Sequence, residues 1–515
     1  MTGGERSSKR PGIAAIGGYV PRLALTTEAY REACGTSAAP GVDRTAVPDA
    51  DEDSLTLAAE AGRRALDTTG VDPNEIASLA FATTTPPSEE DETVVRLASF
   101  LGTPASARTR EYGRSTRAGV AALADALAGN APTPALVVGA DCPTGSPESD
   151  TEAAAGAGAG AALIVDGGPL RAVATGEHGD PYPGTRFRRR GQTQTESLGA
   201  AAYERDAYRT CIVRAIADGV PDDGGGGGDD PDAVALTAPD GKLPYRVAGE
   251  APGLSAKRIA AGTVVDRTGD TGVAGPFLGL ADAVADGSRR PLIVGYGGGS
   301  GATALHLSKD GPATINVAID PVTDLTYAAY ARRRGFVTGD TPAGGGANVS
   351  VPSWRRTLPQ RHRLVAGRCS DCSALGFPPE GACASCGSLT GYETVQLPGS
   401  GSVEAITTVG AAGAPPEFTV FGQRAGSFGV AVVGFDAPEP SSGDRHRSDE
   451  PSTENTSSRC GASVSIPISV IADVDAPAVG DRVRAGPRRI YEREGVVRYG
   501  LKVAPIDALR KSHSR

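Results

Sequence analysis

Four cysteines, Cys369, Cys372, Cys383 and Cys386, fall within the stretch RCSDCSALGFPPEGACASC as two CxxC pairs with ten residues between them. Four thiolates at that spacing can close a tetrahedron around one metal ion, and zinc and iron both accept such a set. Four protein ligands leave no open coordination position, so the expected role is structural. The other cysteines, Cys34, Cys142, Cys211 and Cys460, stand singly. That usage fits a reducing, cytoplasmic setting. Cys211, inside the helical run YRTCIVRAIA, reads as core. Cys142 follows a strand and precedes Pro143, and reads as a buried thiol with a catalytic role as the alternative. The histidines are His178, His306, His362, His446 and His513, spread along the chain.

Stepping along the chain, residues 12 to about 345 alternate strand-like and helix-like segments. The strands are IAAIGGYV, SLAFATTT, ALVVGAD, AALIVDG, AVALTAP, PLIVGYG and ATINVAI. Helices are predicted over 51–68, 115–129 and 277–286. In the second of these Val120, Leu123 and Leu127 line one face. Such alternation is the pattern of a layered α/β fold. A faint repeat runs through it: ALVVGAD (135–141) is similar to PLIVGYG (291–297), and GAGAALIVDGGP (158–169) to GSGATALHLSKDGP (299–312). The pairs occur in the same order, which predicts a duplicated unit. GYGGGSG (295–301) is not a dinucleotide loop, because another strand rather than a helix follows it.

After residue 350 the pattern changes. Trp354 to Arg368 carries Arg355, Arg356, Arg361, Arg363 and Arg368. These arginines are read either as a solvated basic face or as contacts to the phosphates of a ligand or to an acidic partner. Then come SVEAITTV, FGVAVVGF, SVSIPISVI, DRVRAG and VRYGLKVAPI, β-rich runs with turn signals and no helix pattern, as in a small β-barrel. Gly224 to Gly228 is expected to be a flexible loop, and 438–462 a polar, disordered insertion that contains Cys460.

The chain has 515 residues, enough for three or four domains at roughly 150 residues each. Its net charge is −10, from 51 basic and 61 acidic residues. Residues 351–515 contain 19 basic and 17 acidic groups, a net +2, so the first 350 carry −12. An acidic body and few aromatics (5%) argue against nucleic-acid binding, including by the barrel, where base-stacking platforms are sparse. The longest uncharged run of small residues, Ala153 to Val165, is shorter than the ~20 residues of a membrane span, so no membrane partner is expected.

Several stretches of the first part resemble condensing enzymes of the thiolase superfamily, specifically the archaeal type of hydroxymethylglutaryl-CoA synthase. They are GIAAIGGYVPRLAL (12–25), VPDADEDSLTLAAEAGRRAL (47–66), TRAGVAALADAL (116–127), VVGADCPTGSPESDTEAAAGAGAGAALIV (137–165), APDGKLPYRVA (238–248) and GYGGGSGATAL (295–305), in the family's order. The resemblance implies a duplicated αβαβα thiolase-like fold, a homodimer, and a CoA thioester as ligand. The second part resembles the rubredoxin-like zinc ribbon with an all-β OB-fold barrel that accompanies such enzymes as a separate bridging protein. That implies structural zinc and, as partner, a thiolase (acetyl-CoA acetyltransferase) or an active synthase. The implied domains are two thiolase-like halves (1–175 and 176–348), a helix plus zinc ribbon (349–395), and the OB-fold (396–515).

The family's reaction moves an acyl group from CoA to a cysteine thiolate at a helix N-terminus, with a histidine and a glutamate shuttling protons. Its Ala-Cys-x-Ala-Gly reads here Ser115-Thr116-Arg117-Ala118-Gly119, its Ser-Glu-Ser reads Thr83-Thr84-Thr85, and its His-x-Pro-Asn-Gly-Lys reads Thr237-Ala238-Pro239-Asp240-Gly241-Lys242. Thr116, Thr84 and Thr237 therefore stand at the cysteine, glutamate and histidine positions. The family's asparagine before the second glycine turn corresponds to Asp270. Three alcohols without a base are not expected to perform the condensation. Two expectations follow: a non-condensing scaffold or acyl-CoA-binding partner, or an acyltransferase working through Ser115 or Thr116 or without a covalent intermediate.

Overall fold

The computed structural model describes residues 10–35, 38–219, 230–299, 301–339, 350–410, 413–438, 463–471 and 476–507. The expected glycine loop at 224–228 lies outside the described residues, as do residues 439–462 of the expected insertion with Cys460. The chain divides into two compact units, Met1–Val337 and Thr338–Lys511.

The first unit is built twice from one pattern. Its first half runs β1 (Pro11–Tyr19), α1 (Ser54–Leu66), β2 (Ser78–Thr83), β3 (Arg108–Gly113), α2 (Ala118–Leu127), β4 (Ala135–Asp141) and β5 (Gly158–Asp166). Its second half runs β6 (Leu170–His178), α3 (Ala201–Asp218), β7 (Ala233–Leu236), α4 (Gly275–Ala285), β8 (Pro291–Gly297) and β9 (Gly301–Lys309). The strands lie in the order β3-β2-β4-β5-β1-β6-β9-β8-β7. In each half a parallel pair (β2 with β4, β7 with β8) is followed by an antiparallel partner (β5, β9), which pairs antiparallel with the half's opening strand (β1, β6). A single bridge, Ile13 to Leu170, joins β1 to β6. The sequence repeat is thus a repeat of position: ALVVGAD is β4 and PLIVGYG is β8.

The helices pack on the strands of both halves. Val120, Leu123 and Leu127 of α2 share a core with Phe277, Leu280 and Val284 of α4 and with strand residues of both halves, among them Val137, Ile164, Ile293 and Leu305. α1 packs on β1, β4 and β5, and α3 on β6 and β9. Gly17 is required where β1 passes under α1, since a Cβ there would sit 2.2 Å from the Ala61 carbonyl oxygen. α1 starts three residues later than the apolar pattern predicts, because Asp53 caps it: its carboxylate accepts from Thr56 N, and the Thr56 hydroxyl accepts from Asp53 N.

In the second unit, helices α5 (Val351–Arg356) and α6 (Leu358–Arg363) lead into a small sheet of β10 (Val365–Cys369), β11 (Leu375–Gly376) and β12 (Tyr392–Gln396), ordered β11-β10-β12. A closed barrel follows, of β13 (Ser400–Val409), β14 (Phe428–Asp436), β15 (Ser463–Val470), β16 (Arg482–Arg493) and β17 (Val496–Pro505), in the order β13-β14-β15-β17-β16. β13 pairs with β16 to close it, and β15 runs parallel to β17. This is the five-stranded closure of an OB-fold. Val433, Phe435, Val483 and Val503 fill its centre. One element departs from the β-only expectation: α7, Thr419–Ala425. It is too short to carry an apolar period, and its tertiary contacts hold it, with Phe421 under the Lys502 ammonium at 3.8 Å.

Candidate functional site

The three alcohols stand at element ends, where side chains leave the sheet for the loops. Thr84 follows β2, Thr237 follows β7, and Thr116 precedes α2. Two of them meet on Tyr296 of β8. The buried Thr116 hydroxyl donates to the Tyr296 carbonyl at 2.6 Å, and Tyr296 N donates to the Thr237 hydroxyl oxygen at 3.0 Å. Thr84 turns elsewhere, donating from its hydroxyl to Asp141 at 2.9 Å. Asp141 links back to the same neighbourhood by accepting from Val273 N at 3.0 Å. Val273 packs with Ala82 and Ala118, the latter two residues beyond Thr116.

Asp141 is the residue that the sequence reading missed. It ends β4, is fully buried, and accepts six hydrogen bonds: from the Thr83, Thr84 and Thr85 hydroxyls, from Thr84 N and Thr85 N, and from Val273 N. Burial pushes its carboxyl up from the ordinary value, while Val273 N, Thr84 and the charge of Arg186 act against that. The signal was present as three consecutive threonines, read as a substitution at one position rather than as a cradle for a carboxylate.

Arg186 is the second missed residue. It pairs with Asp270, which is buried and also accepts from Gly272 N at 2.9 Å. Burial opposes the charge on Arg186, but Asp270, with Asp141 behind it, outweighs that and leaves its pKa raised. Its segment crosses the loops of the site: Arg188 donates to the Thr84 carbonyl, Thr195 N to Thr144 O at 2.7 Å, and Tyr182 N to Gly299 O at 3.2 Å. A recess lined by Leu236, Ala238 and Asp270 holds about 10 Å³, room for one water at most. A larger recess of about 380 Å³ lies elsewhere, between β3 and α2, lined by Arg108, Tyr112 and Asp125. Cys142 is half-buried, and burial drives its thiol well up; Cys211 is buried in α3.

The four cysteines converge. Their sulfurs lie within 4.8 Å of one another, with Cys369 and Cys386 3.8 Å apart and Cys372 and Cys383 3.6 Å apart. A tetrahedron with metal–sulfur bonds of about 2.3 Å has edges of about 3.8 Å, so the donor set fits zinc. Each pair sits on a tight turn: Ser373 N donates to Cys369 O, and Gly387 N to Cys383 O. Ser373 (φ 62°) and Gly387 (φ 73°) take the left-handed conformation at matching places. The N–H groups of Cys386 and Ser385 lower the Cys383 thiol to about 6, while the neighbouring thiols push Cys386 up to about 12, so the four sulfurs share their protons unevenly.

The hydroxymethylglutaryl-CoA synthase of Methanopyrus kandleri is 30% identical over 345 residues, which cover 64% of this chain and 98% of that protein. The chain belongs to the hydroxymethylglutaryl-CoA synthase family. The synthase of Pyrococcus furiosus is 28% identical, over 63% of this chain and 93% of its own. Among solved structures, a synthase complexed with CoA matches with a TM-score of 0.54 at 18% identity, covering 66% of this chain and 94% of that one. MvaS in complex with 3-hydroxy-3-methylglutaryl coenzyme A matches at 0.53 and 20%, covering 66% and 96%. The fold of this synthase homologue is therefore thiolase-like. Its residues 356–390 match the ChsH2 rubredoxin-like zinc ribbon family, which covers all four cysteines. Among the described residues, no helix is long and apolar enough to cross a membrane.

Proposed function

We propose that this synthase homologue no longer performs the Claisen condensation and acts as a scaffold or acyl-CoA-binding partner of a thiolase or an active synthase. One observation carries the reading: the Thr116 hydroxyl, at the nucleophile position, donates its proton to the Tyr296 carbonyl at 2.6 Å. A carbonyl oxygen cannot take that proton, and an alcohol becomes a useful nucleophile only beside a base. Thr237 at the histidine position is itself an acceptor from Tyr296 N, and Thr84 is tied to Asp141. Asp141 is a poor proton shuttle, because six donors hold its lone pairs. The ribbon's donor set supports structural zinc at Cys369, Cys372, Cys383 and Cys386, and the open edge of β3 is available for a homodimer.

The test incubates purified protein with acetyl-CoA and weighs it intact, then assays condensation with acetoacetyl-CoA. The expected result is no acetyl adduct and no turnover, with co-purification of a thiolase or synthase. An adduct abolished by Thr116→Ala or Ser115→Ala, or turnover without an adduct, overturns the reading in favour of an active acyltransferase.

A further inference from the structure

The start of α2 holds donors that the fold leaves unengaged. The Ser115 hydroxyl oxygen is buried without a hydrogen-bond partner, and no side chain caps the helix. Arg117 is half-buried, and among the described residues its guanidinium meets no carboxylate. Thr303 of β9 is 1% exposed, and its hydroxyl also lacks a partner. A fully buried hydroxyl without a partner costs about 1–3 kcal/mol, so this one asks for an explanation.

The register brings these groups together. Ala302 and Ala304 of β9 face α3, so Thr303 points to the other face with Leu305, which packs with Val120 of α2. Thr303 lies opposite Gly295 of β8. A Cβ at Gly295 would be 3.1 Å from the Cα of Arg117, and one at Gly301 would be 3.0 Å from Nη1 of Arg117. Gly301 stands two residues before Thr303 on β9, so the Arg117 guanidinium lies near the end of the strand that carries the hydroxyl.

We propose that Ser115, Arg117 and Thr303 form a receptor for a compact oxyanion at the N-terminus of α2, either a carboxylate or a phosphate group. The helix start contributes free N–H groups and positive potential, Arg117 the countercharge, and Thr303 a buried donor. Glu177 of β6, opposite Thr303 in the register and exposed, moderates the affinity. The proposal rests on the reading that Thr116 is structurally engaged, which leaves the helix start open to a ligand rather than to a nucleophile.

The test titrates the full chain with sodium phosphate and with sodium acetate, against sodium chloride at matched ionic strength, following the melting temperature and heat of binding. A saturable rise with one oxyanion beyond that with chloride is expected. Tighter phosphate identifies a phosphate source, and tighter acetate a carboxylate source. Arg117→Gln is expected to weaken binding about tenfold, and Thr303→Val about fivefold. Because its hydroxyl has no protein partner, Thr303→Val is expected to melt no lower than wild type without anion. Glu177→Gln should tighten binding about twofold. The proposal is overturned by oxyanions no better than chloride, by unchanged affinity in both weakening variants, or by a Thr303→Val protein that melts lower in anion-free buffer. No acyl-CoA is present in the titration, so its outcome is separable from the acetyl-adduct experiment.

Discussion

In the ribbon, four sulfurs approach within 4.8 Å, all facing one point. In the α/β unit, the three hydroxyls that the sequence resemblance assigns to the family's reacting positions each turn onto a neighbour: Thr116 onto a carbonyl, Thr237 onto an N–H, Thr84 onto a carboxylate. The difference shows how a site's state can be read from where its polar atoms point. Convergence on empty space calls for a ligand, and mutual saturation is a structural arrangement. By that standard the cysteines are placed to hold a metal, while Thr116 and Thr237 belong to the core and Thr84 to its edge.

The contrast is broken most directly in the ribbon. Chelation, or Cys383→Ser, should unfold residues 365–396 as a structured element, since structural zinc contributes about 10–16 kcal/mol to small metal domains. Metal content by mass spectrometry and loss of near-ultraviolet dichroism would check it. The α/β unit should keep its melting transition in that experiment. Next in size is Asp141→Ala, which leaves six donors facing a void. A loss of about 3–5 kcal/mol is expected, measured by urea unfolding, with Asp141→Asn losing less. Thr116→Val removes one hydrogen bond and should cost about 1 kcal/mol while leaving acetyl-CoA behaviour unchanged.

The smallest effect is in the barrel. The guanidinium of Arg482 lowers the Asp436 carboxyl below its ordinary 3.8. The group's stabilisation is present above that value and is lost as pH falls below it. Both side chains are over a third exposed, so the loss should stay under about 1 kcal/mol, seen as a slightly lower melting temperature near pH 3 that Asp436→Asn abolishes.

Much of this architecture could be read from residue order. The duplication was visible in ALVVGAD and PLIVGYG because buried strands of a layered sheet are continuous apolar runs, and those two strands hold equivalent places. The cysteine site was legible because both knuckles are local. Asp141 was not, because its threonine partners lie 56 to 58 residues away and meet it only through β2–β4 pairing. Arg186 and Asp270 are 84 residues apart, and no spacing rule connects them. Short α7 escaped for the opposite reason, having too few turns to show a period.

The division at Val337 and Thr338 runs within one polypeptide. A cell that makes one unit therefore makes the other in equal number, whatever the level of expression. A third molecule with a weak foothold on each unit would gain roughly 10²- to 10⁴-fold in avidity when the tether lets both engage. Cutting the chain between the units would remove that gain and leave each foothold at its own weak strength.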